Sequence, residues 1–458
     1  MTTAPALARP GSGSFAPTRE LPAWPVLALI WGAPVWWATG LLAFISIILA
    51  LPMLALLIRR GRIGLVPGVL PLLVFTAWTI PCAVMLDSGS RFLAFTLSFG
   101  QLLSVAILLL YVVNARTSLT AGRLMAALTS TWIFIIIGGY LGILWPDGSV
   151  TYTIGRLLPA SISGNDYLAS LLYPPFAEVQ LPYGASEPFL RPSAPFTYTN
   201  GWGAGFAILT PIAIATAVNH GTKRAFFFVG LALVAAVPPA IATSNRGLFL
   251  GLIAATAYVI FRLALRGQWK PVIAVGLAGI AAFSALAATG LIGAIAARQE
   301  AGDTTQGRSE LYVETFERTL LSPILGYGSS RPSFTSEINV GTQGMIWEVM
   351  FSFGLVGLAL FAVFMVGAVL RTWRAPSIPI LWLHASLVTA TMLALFYGLD
   401  RHLGTIAIVA GLLLRERYAD RSEFWEHALP STVINTTATN TTVTNTTETS
   451  SRALTRAP

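Results

Sequence analysis

A chain of 458 residues that is 55% hydrophobic and only 10% charged has too little polar surface for a water-soluble fold, since soluble domains average about 25% charged residues. Lys and Arg outnumber Asp and Glu by 28 to 19, yet the basic residues sit at the ends of apolar runs and form no stripe interleaved with aromatics, which argues against nucleic acid as a partner. The mean hydropathy of +0.71 describes an all-α, polytopic membrane protein.

Cys82 is the single cysteine, and the four histidines (His220, His384, His402, His427) fall in no ligand-like spacing. No disulfide within the chain and no His/Cys metal site is expected, and nothing in the pattern calls for a cofactor.

In chain order, residues 1–20 are rich in Ala, Pro, Gly and Ser and read as a cytoplasmic N-terminal segment. The apolar run after them is too long for a cleavable signal peptide, so the first span is read as retained. About 20 apolar residues are needed to cross the hydrocarbon layer, and that ruler gives about twelve spans: 22–38, 41–58, 65–85, 92–113, 125–145, 201–218, 225–243, 247–265, 271–296, 345–370, 377–397 and 403–414. The membrane domain is therefore expected over 21–418, with two long outer loops at 146–200 and 297–344.

With the N-terminus inside, 19 of the 28 basic residues face the cytoplasm, and every predicted inner loop is basic, as the positive-inside rule requires. The nine others, Arg91, Arg156, Arg191, Arg246, Arg298, Arg308, Arg318, Arg331 and Arg401, run against that bias. The outer face is where chemistry is expected.

Loop 146–200 is rich in Pro, Gly, Ser and Tyr and reads as a lid-like element. Its Tyr173, Pro174, Pro175 and Phe176 suit an interfacial aromatic anchor. In loop 297–344 the run RSELYVETFERTLL puts Tyr312, Phe316 and Leu320 on one face of an amphipathic helix. Ser322-Pro323 stops that helix and Gly326-Tyr327-Gly328 supplies a turn. Residues 419–458 read as a cytoplasmic low-complexity tail, with Asn-Thr-Thr repeated from Asn435, Asn440 and Asn445.

Three outward arginines have distinctive surroundings. Arg191 opens RPSAPFTYTN before span six, Arg246 sits in the short turn TSNRG, and Arg308 begins the surface helix. A guanidinium is a fixed charge whose planar donors match phosphate oxygens, so three together would hold a diphosphate without a metal. The rival reading for an arginine taken alone is an interfacial anchor, which fits Arg246 least, because its very short turn between two spans leaves the side chain little room to leave the protein. Glu348 falls in the first turns of a span, where an acid is costly and either functional or paired with an arginine. His384, inside span eleven, suits a hydrogen-bonded structural role.

These pieces resemble the O-antigen ligase and polymerase superfamily of bacterial cell-envelope glycosyltransferases. The matching features are Arg191, Ala194, Phe196 and Asn200; the turn TSNRGLFLGL; and a late loop with Gly-Arg, an amphipathic helix, Ser-Pro, Gly-Tyr-Gly and a Glu-bearing helix ending FGLVG. Order and spacing are similar over roughly residues 185–360. The resemblance implies a multi-pass protein of the bacterial cytoplasmic (inner) membrane with its active face outside. Its donor would be a polyprenyl-diphosphate-linked glycan and its acceptor a glycan or lipid. Arg191, Arg246 and Arg308 would bind the substrate diphosphate, with Asn200 beside them. The family's ligases carry a histidine where this chain has Gln343, which cannot ionise. Gln343 would orient the acceptor hydroxyl, with Glu348 or the outward His402 as further catalytic groups; His402 also fits as an exposed interfacial histidine. Two other functions stay open: a secondary transporter, or an assembly partner that kept the fold and lost the activity.

Overall fold

The computed structural model describes residues 20–159, 166–180, 189–288, 304–335, 338–421, 424–425 and 427–428. Residues 1–19, Arg298 and the Asn-Thr-Thr repeats lie outside them. The described residues form helices α1 (Trp24–Trp31), α2 (Ala33–Ala38), α3 (Ile45–Arg60), α4 (Leu70–Cys82), α5 (Gly89–Asn114) and α6 (Ala121–Leu144). They continue as α7 (Asp166–Leu172), α8 (Thr199–His220), α9 (Lys223–Ala235), α10 (Val237–Thr243), α11 (Arg246–Leu265) and α12 (Trp269–Ala288). The last four are α13 (Thr304–Leu321), α14 (Met345–Arg371), α15 (Ile378–Leu393) and α16 (Leu403–Arg417). Three two-stranded antiparallel ribbons complete the fold: β1 (Arg62–Ile63) with β6 (His427–Ala428), β2 (Ala177–Gln180) with β3 (Phe189–Pro192), and β4 (Arg331–Pro332) with β5 (Asn339–Val340).

By length and composition, six helices among the described residues can cross a membrane: α5, α6, α8, the run Lys223–Thr243 through α9 and α10, α11 and α14. Three shorter apolar stretches, Leu70–Met85, Trp269–Ala281 and Ile378–Leu393, coincide with further expected spans. The expected first span is divided at Gly32 into α1 and α2.

Helix α8 is the centre of the bundle. Of its apolar window 78% is buried, against 17% for Lys223–Thr243, and it packs on α6, α11 and α15. Lipid tails are as apolar as Leu, so packing and interhelical hydrogen bonds hold such helices together. Trp202 Nε1 donates to the Ile135 carbonyl at 2.8 Å and Trp132 Nε1 to Thr210 Oγ1 at 3.0 Å, tying α8 to α6. The two indoles stack on Phe206 with centroids 5.3 and 5.7 Å away.

At one end of the bundle, segments that the charge bias assigns to the cytoplasm meet one another. Arg60 donates to the Asn114 carbonyl at 2.9 Å, Arg415 to the Val112 carbonyl at 3.0 Å and Arg262 to the Trp373 carbonyl at 2.5 Å. Part of the expected tail is folded here as well: the Leu65 N–H donates to the Phe424 carbonyl at 2.9 Å, and β6 pairs with β1. His384 is buried as expected, accepting from Tyr258 at 2.7 Å while its Nε2 donates to the Val369 carbonyl at 3.0 Å.

Helix α14, which the sequence reads as one apolar run, is broken at Gly354 (φ 71°, ψ −176°). A broken membrane helix must have its freed peptide groups paired by protein, and the Ser-Pro to Gly-Tyr-Gly loop does that. Tyr327 N donates to Phe351 O at 2.9 Å and Gly328 N to Ser352 O at 2.8 Å, while Leu355 N donates to Pro323 O at 2.7 Å. Trp78 Nε1 takes the Phe353 carbonyl at 3.1 Å. A Cβ at residue 354 would strike the Ile324 carbonyl, and this backbone conformation is one that only glycine adopts freely. Gly354→Ala is expected to destabilise the protein by about 2 kcal/mol or more, read as a lower thermal midpoint in detergent; an unchanged midpoint would show that the loop does not depend on the break.

Candidate functional site

Among its described residues, the expected lid packs against the bundle around Phe176. Phe176 meets the Trp37 ring at 5.7 Å, its N–H donates to Gly148 O, and its carbonyl accepts from Ser193 and Ala194 N–H. The hairpin β2–β3 follows in register Glu178 to Arg191. Arg191 is buried and its Nε donates to the Thr243 carbonyl at 2.7 Å, so the lid arginine docks on the turn that holds Arg246. Glu178 caps α8, accepting from Thr199 N–H at 2.7 Å.

That turn starts with Ser244 at φ 47°. Asn245 then caps α11, its Oδ1 accepting from Leu248 N–H at 3.2 Å. Its Nδ2 donates to Thr199 O at 3.3 Å and to Asn200 Oδ1 at 3.5 Å, which joins the starts of α8 and α11. The buried Tyr397 hydroxyl donates to Asn245 Oδ1 and accepts from Gly247 N–H at 2.9 Å. Gly247 is needed there, because a Cβ would collide with the Tyr397 ring. The Tyr397 carbonyl accepts from Met345 N–H at 2.8 Å, and Ala394 O accepts from Ile346 N–H at 3.1 Å. One tyrosine therefore connects the N-terminal ends of α11 and α14, and through Asn245 that of α8. The sequence reading did not single out Tyr397 or Asn245; an Asn before the Arg-Gly of a helix start, and a Tyr-Gly at a span end, are the signals that mark them.

Arg246 itself is exposed at the start of α11. Among the described residues the ion pairs within 4.0 Å are Arg91–Asp87, Arg318–Glu314, Arg331–Asp87 and Arg415–Glu416, so neither Arg246 nor the exposed Arg401 is neutralised by a carboxylate at that distance. Arg308 lies in α13; the position of its side chain is outside what the structure describes.

His402 differs from the expectation of an exposed group. It is buried, its Nε2–H donates to the Gly201 carbonyl at 2.9 Å, and its ring centroid is 4.9 Å from that of Phe196. Gln343 is half-exposed, with its Nε2 donating to Thr342 Oγ1 at 3.2 Å and its carbonyl accepting from Tyr312 at 3.4 Å. Glu348, one turn into α14, interacts electrostatically with Asp400 and Arg401.

In α13 the face packed on protein is Leu311, Thr315 and Thr319. Phe316 and Leu320 are exposed, as apolar residues facing lipid would be, while Tyr312 stacks on Trp347 at 4.4 Å. Arg318 and Arg331 serve the loop: Arg318 binds Glu314 at 2.9 Å, and Arg331 bridges to Asp87 at 3.3 Å and lies over the Tyr327 ring at 4.4 Å. Burial raises the Glu314 carboxyl, but hydrogen bonds from Ser333, the Phe334 N–H and Arg318 outweigh it and hold the group below the usual carboxylate range.

Beneath the Asp400–His402 turn a cavity of about 180 Å³ opens among α1, α2, α5, α6 and α16. Its walls are mostly apolar, with Asp400, Arg401 and His402 at its polar end. No cluster of His, Cys, Asp and Glu suited to a metal occurs among the described residues. Comparison with protein-family models, curated proteins and solved structures finds no match.

Tyr397→Phe should cost about 1–3 kcal/mol, because the buried Gly247 N–H and Asn245 Oδ1 each lose a partner. Thermal unfolding of the purified protein measures this, and a variant as stable as the wild type would remove Tyr397 as the link between the helix starts.

Proposed function

We propose that this protein is a membrane glycosyltransferase that transfers a glycan from a polyprenyl diphosphate to a glycan or lipid acceptor on the outer face of a bacterial cytoplasmic membrane. In this reading the chain crosses the bilayer about twelve times. The observation that carries it is the gathering at one end of the bundle of Arg191, Asn200, Arg246 and the start of α14 around Asn245 and Tyr397, with Arg246 free of any carboxylate within 4.0 Å among the described residues.

The chemistry follows from charge. An acceptor hydroxyl attacks the anomeric carbon, the bond to the diphosphate breaks, and negative charge grows on the leaving oxygens. Guanidinium groups fixed beside that charge stabilise it more in the transition state than in the ground state. The helix starts at α11 and α14 add their positive dipole ends, although Asn245, Tyr397 and Ala394 already occupy several of their N–H groups. The guanidinium of Arg246 therefore makes the direct contact with the diphosphate. Arg191, whose Nε is committed to Thr243 O, holds the turn that aims it. The mostly apolar cavity next to the charged Asp400–Arg401 turn suits an amphipathic substrate. The interrupted α14 does not favour a transporter, since the loop and Trp78 take its freed carbonyls.

Arg246→Ala should lower consumption of a lipid-diphosphate-linked glycan by purified protein by about 100-fold or more, the scale of removing one oxyanion-stabilising donor. Retained turnover would contradict the assignment, and solute uptake into proteoliposomes without any lipid donor would favour a transporter instead.

A further inference from the structure

The transfer needs a group to take the acceptor's proton, and the two side chains first in line are poorly suited to it. Gln343 does not ionise, and its amide is engaged with Thr342. His402 is buried, with its Nε2–H spent on the Gly201 carbonyl and the ring packed on Phe196, and burial pushes its imidazole down to about 4, which makes it a weak base.

Asp400 occupies a different position. The segment Ala394–Tyr397 is hydrogen-bonded to the first turn of α14 through Met345 N–H and Ile346 N–H, which brings the turn at residues 400–402 beside Glu348. Asp400 is surrounded by neighbouring protein but keeps part of its surface open to the apolar-walled cavity, so it faces a space a substrate can enter. No Lys or Arg nitrogen closes on Asp400 or on Glu348 within 4.0 Å among the described residues. In the same cavity wall Trp37 is buried and its Nε1–H has no hydrogen-bond partner among the described residues, a donor left for an oxygen of a bound molecule.

We propose that Asp400 is the proton acceptor for the transfer, with the cavity below it receiving the acceptor and Glu348 acting as a positioning residue. This rests on the transferase reading above. The acceptor oxygen forms its bond to the anomeric carbon, and the bond from that carbon to the diphosphate oxygen breaks. The electron pair leaves with the diphosphate, and the hydroxyl proton passes to the Asp400 carboxylate and then to water. Burial raises the Asp400 carboxyl above its ordinary range against the pull of Arg401, which makes it a stronger base. The charged and titratable groups around it are Glu348 from α14 and Arg401 and His402 from its own turn. The walls from α1, α2, α5 and α6 add no titratable group to the cavity.

The test uses the full chain in proteoliposomes with a polyprenyl-diphosphate-linked glycan and a lipid-borne glycan acceptor, measuring kcat and KM against pH. Asp400→Asn should lower kcat by about 100-fold or more while the donor KM stays within about threefold. The deprotonated carboxylate is the active form, so wild-type kcat should fall as pH drops through an inflection above the ordinary carboxylate range, and Asp400→Asn should lose that inflection. Asp400→Glu keeps a carboxylate and covers the case in which the Asn variant fails to fold: its inflection moves if residue 400 is the base and stays if it is not. An Asn variant within about threefold of wild-type kcat, or one that keeps the inflection, overturns the inference alone. A wild-type protein that leaves the donor intact overturns the transferase reading and this inference with it.

Discussion

A peptide group in hydrocarbon has no water to pair with, and an unpaired one costs several kcal/mol. The end of this bundle that carries Arg191 and Arg246 is arranged around that constraint. The starts of α8, α11 and α14 come together there, and Glu178, Asn245 and the 394–397 segment satisfy their N–H groups. Tyr397 joins two of the ends with one hydroxyl and one carbonyl. The consequence is rigid placement of Arg246, which projects from the first residue of α11 with its charge unneutralised within 4.0 Å among the described residues.

The same constraint explains the break in α14. Opening a helix inside a membrane domain is tolerable only if other protein groups take the freed carbonyls, and Tyr327, Gly328 and Trp78 do so. The late loop is thereby fixed at both ends. Its far side is held by Arg331 on Asp87, and its near side runs through Gln343 into the first turn of α14. Arginines that look alike in sequence thus divide by surroundings: Arg318 and Arg331 hold the loop together, while Arg246 and Arg401 have no carboxylate within 4.0 Å among the described residues.

Apolar runs and the basic residues at their ends made the helical, membrane-embedded class legible, because both are local properties of composition. The neighbourhood of Arg191 and Arg246 was legible too, since each sits beside a span start. What escaped was set by contacts between distant residues. FGLVG reads as an uninterrupted helix because nothing local reveals that Pro323–Gly328 will pair with it. Which side of α13 packs on protein is not given by its apolar face, because an apolar residue in a membrane protein can face lipid as readily as protein, so Phe316 and Leu320 are exposed while Thr315 and Thr319 are buried. The burial of His402 depends on Gly201 and Phe196, about two hundred residues earlier in the chain, and no short-range pattern encodes it.

The chemistry proposed for this site has one consequence in the cell that does not depend on any single side chain. A transferase that consumes a polyprenyl-diphosphate-linked glycan leaves that donor to build up when the enzyme is removed. The most direct measurement is mass spectrometry of the lipid extract from cells lacking this protein, compared with cells carrying it. Accumulation of a polyprenyl-diphosphate-linked glycan that disappears when the wild-type chain is restored is the expected result. An unchanged pool of lipid-linked glycans would contradict the transferase reading.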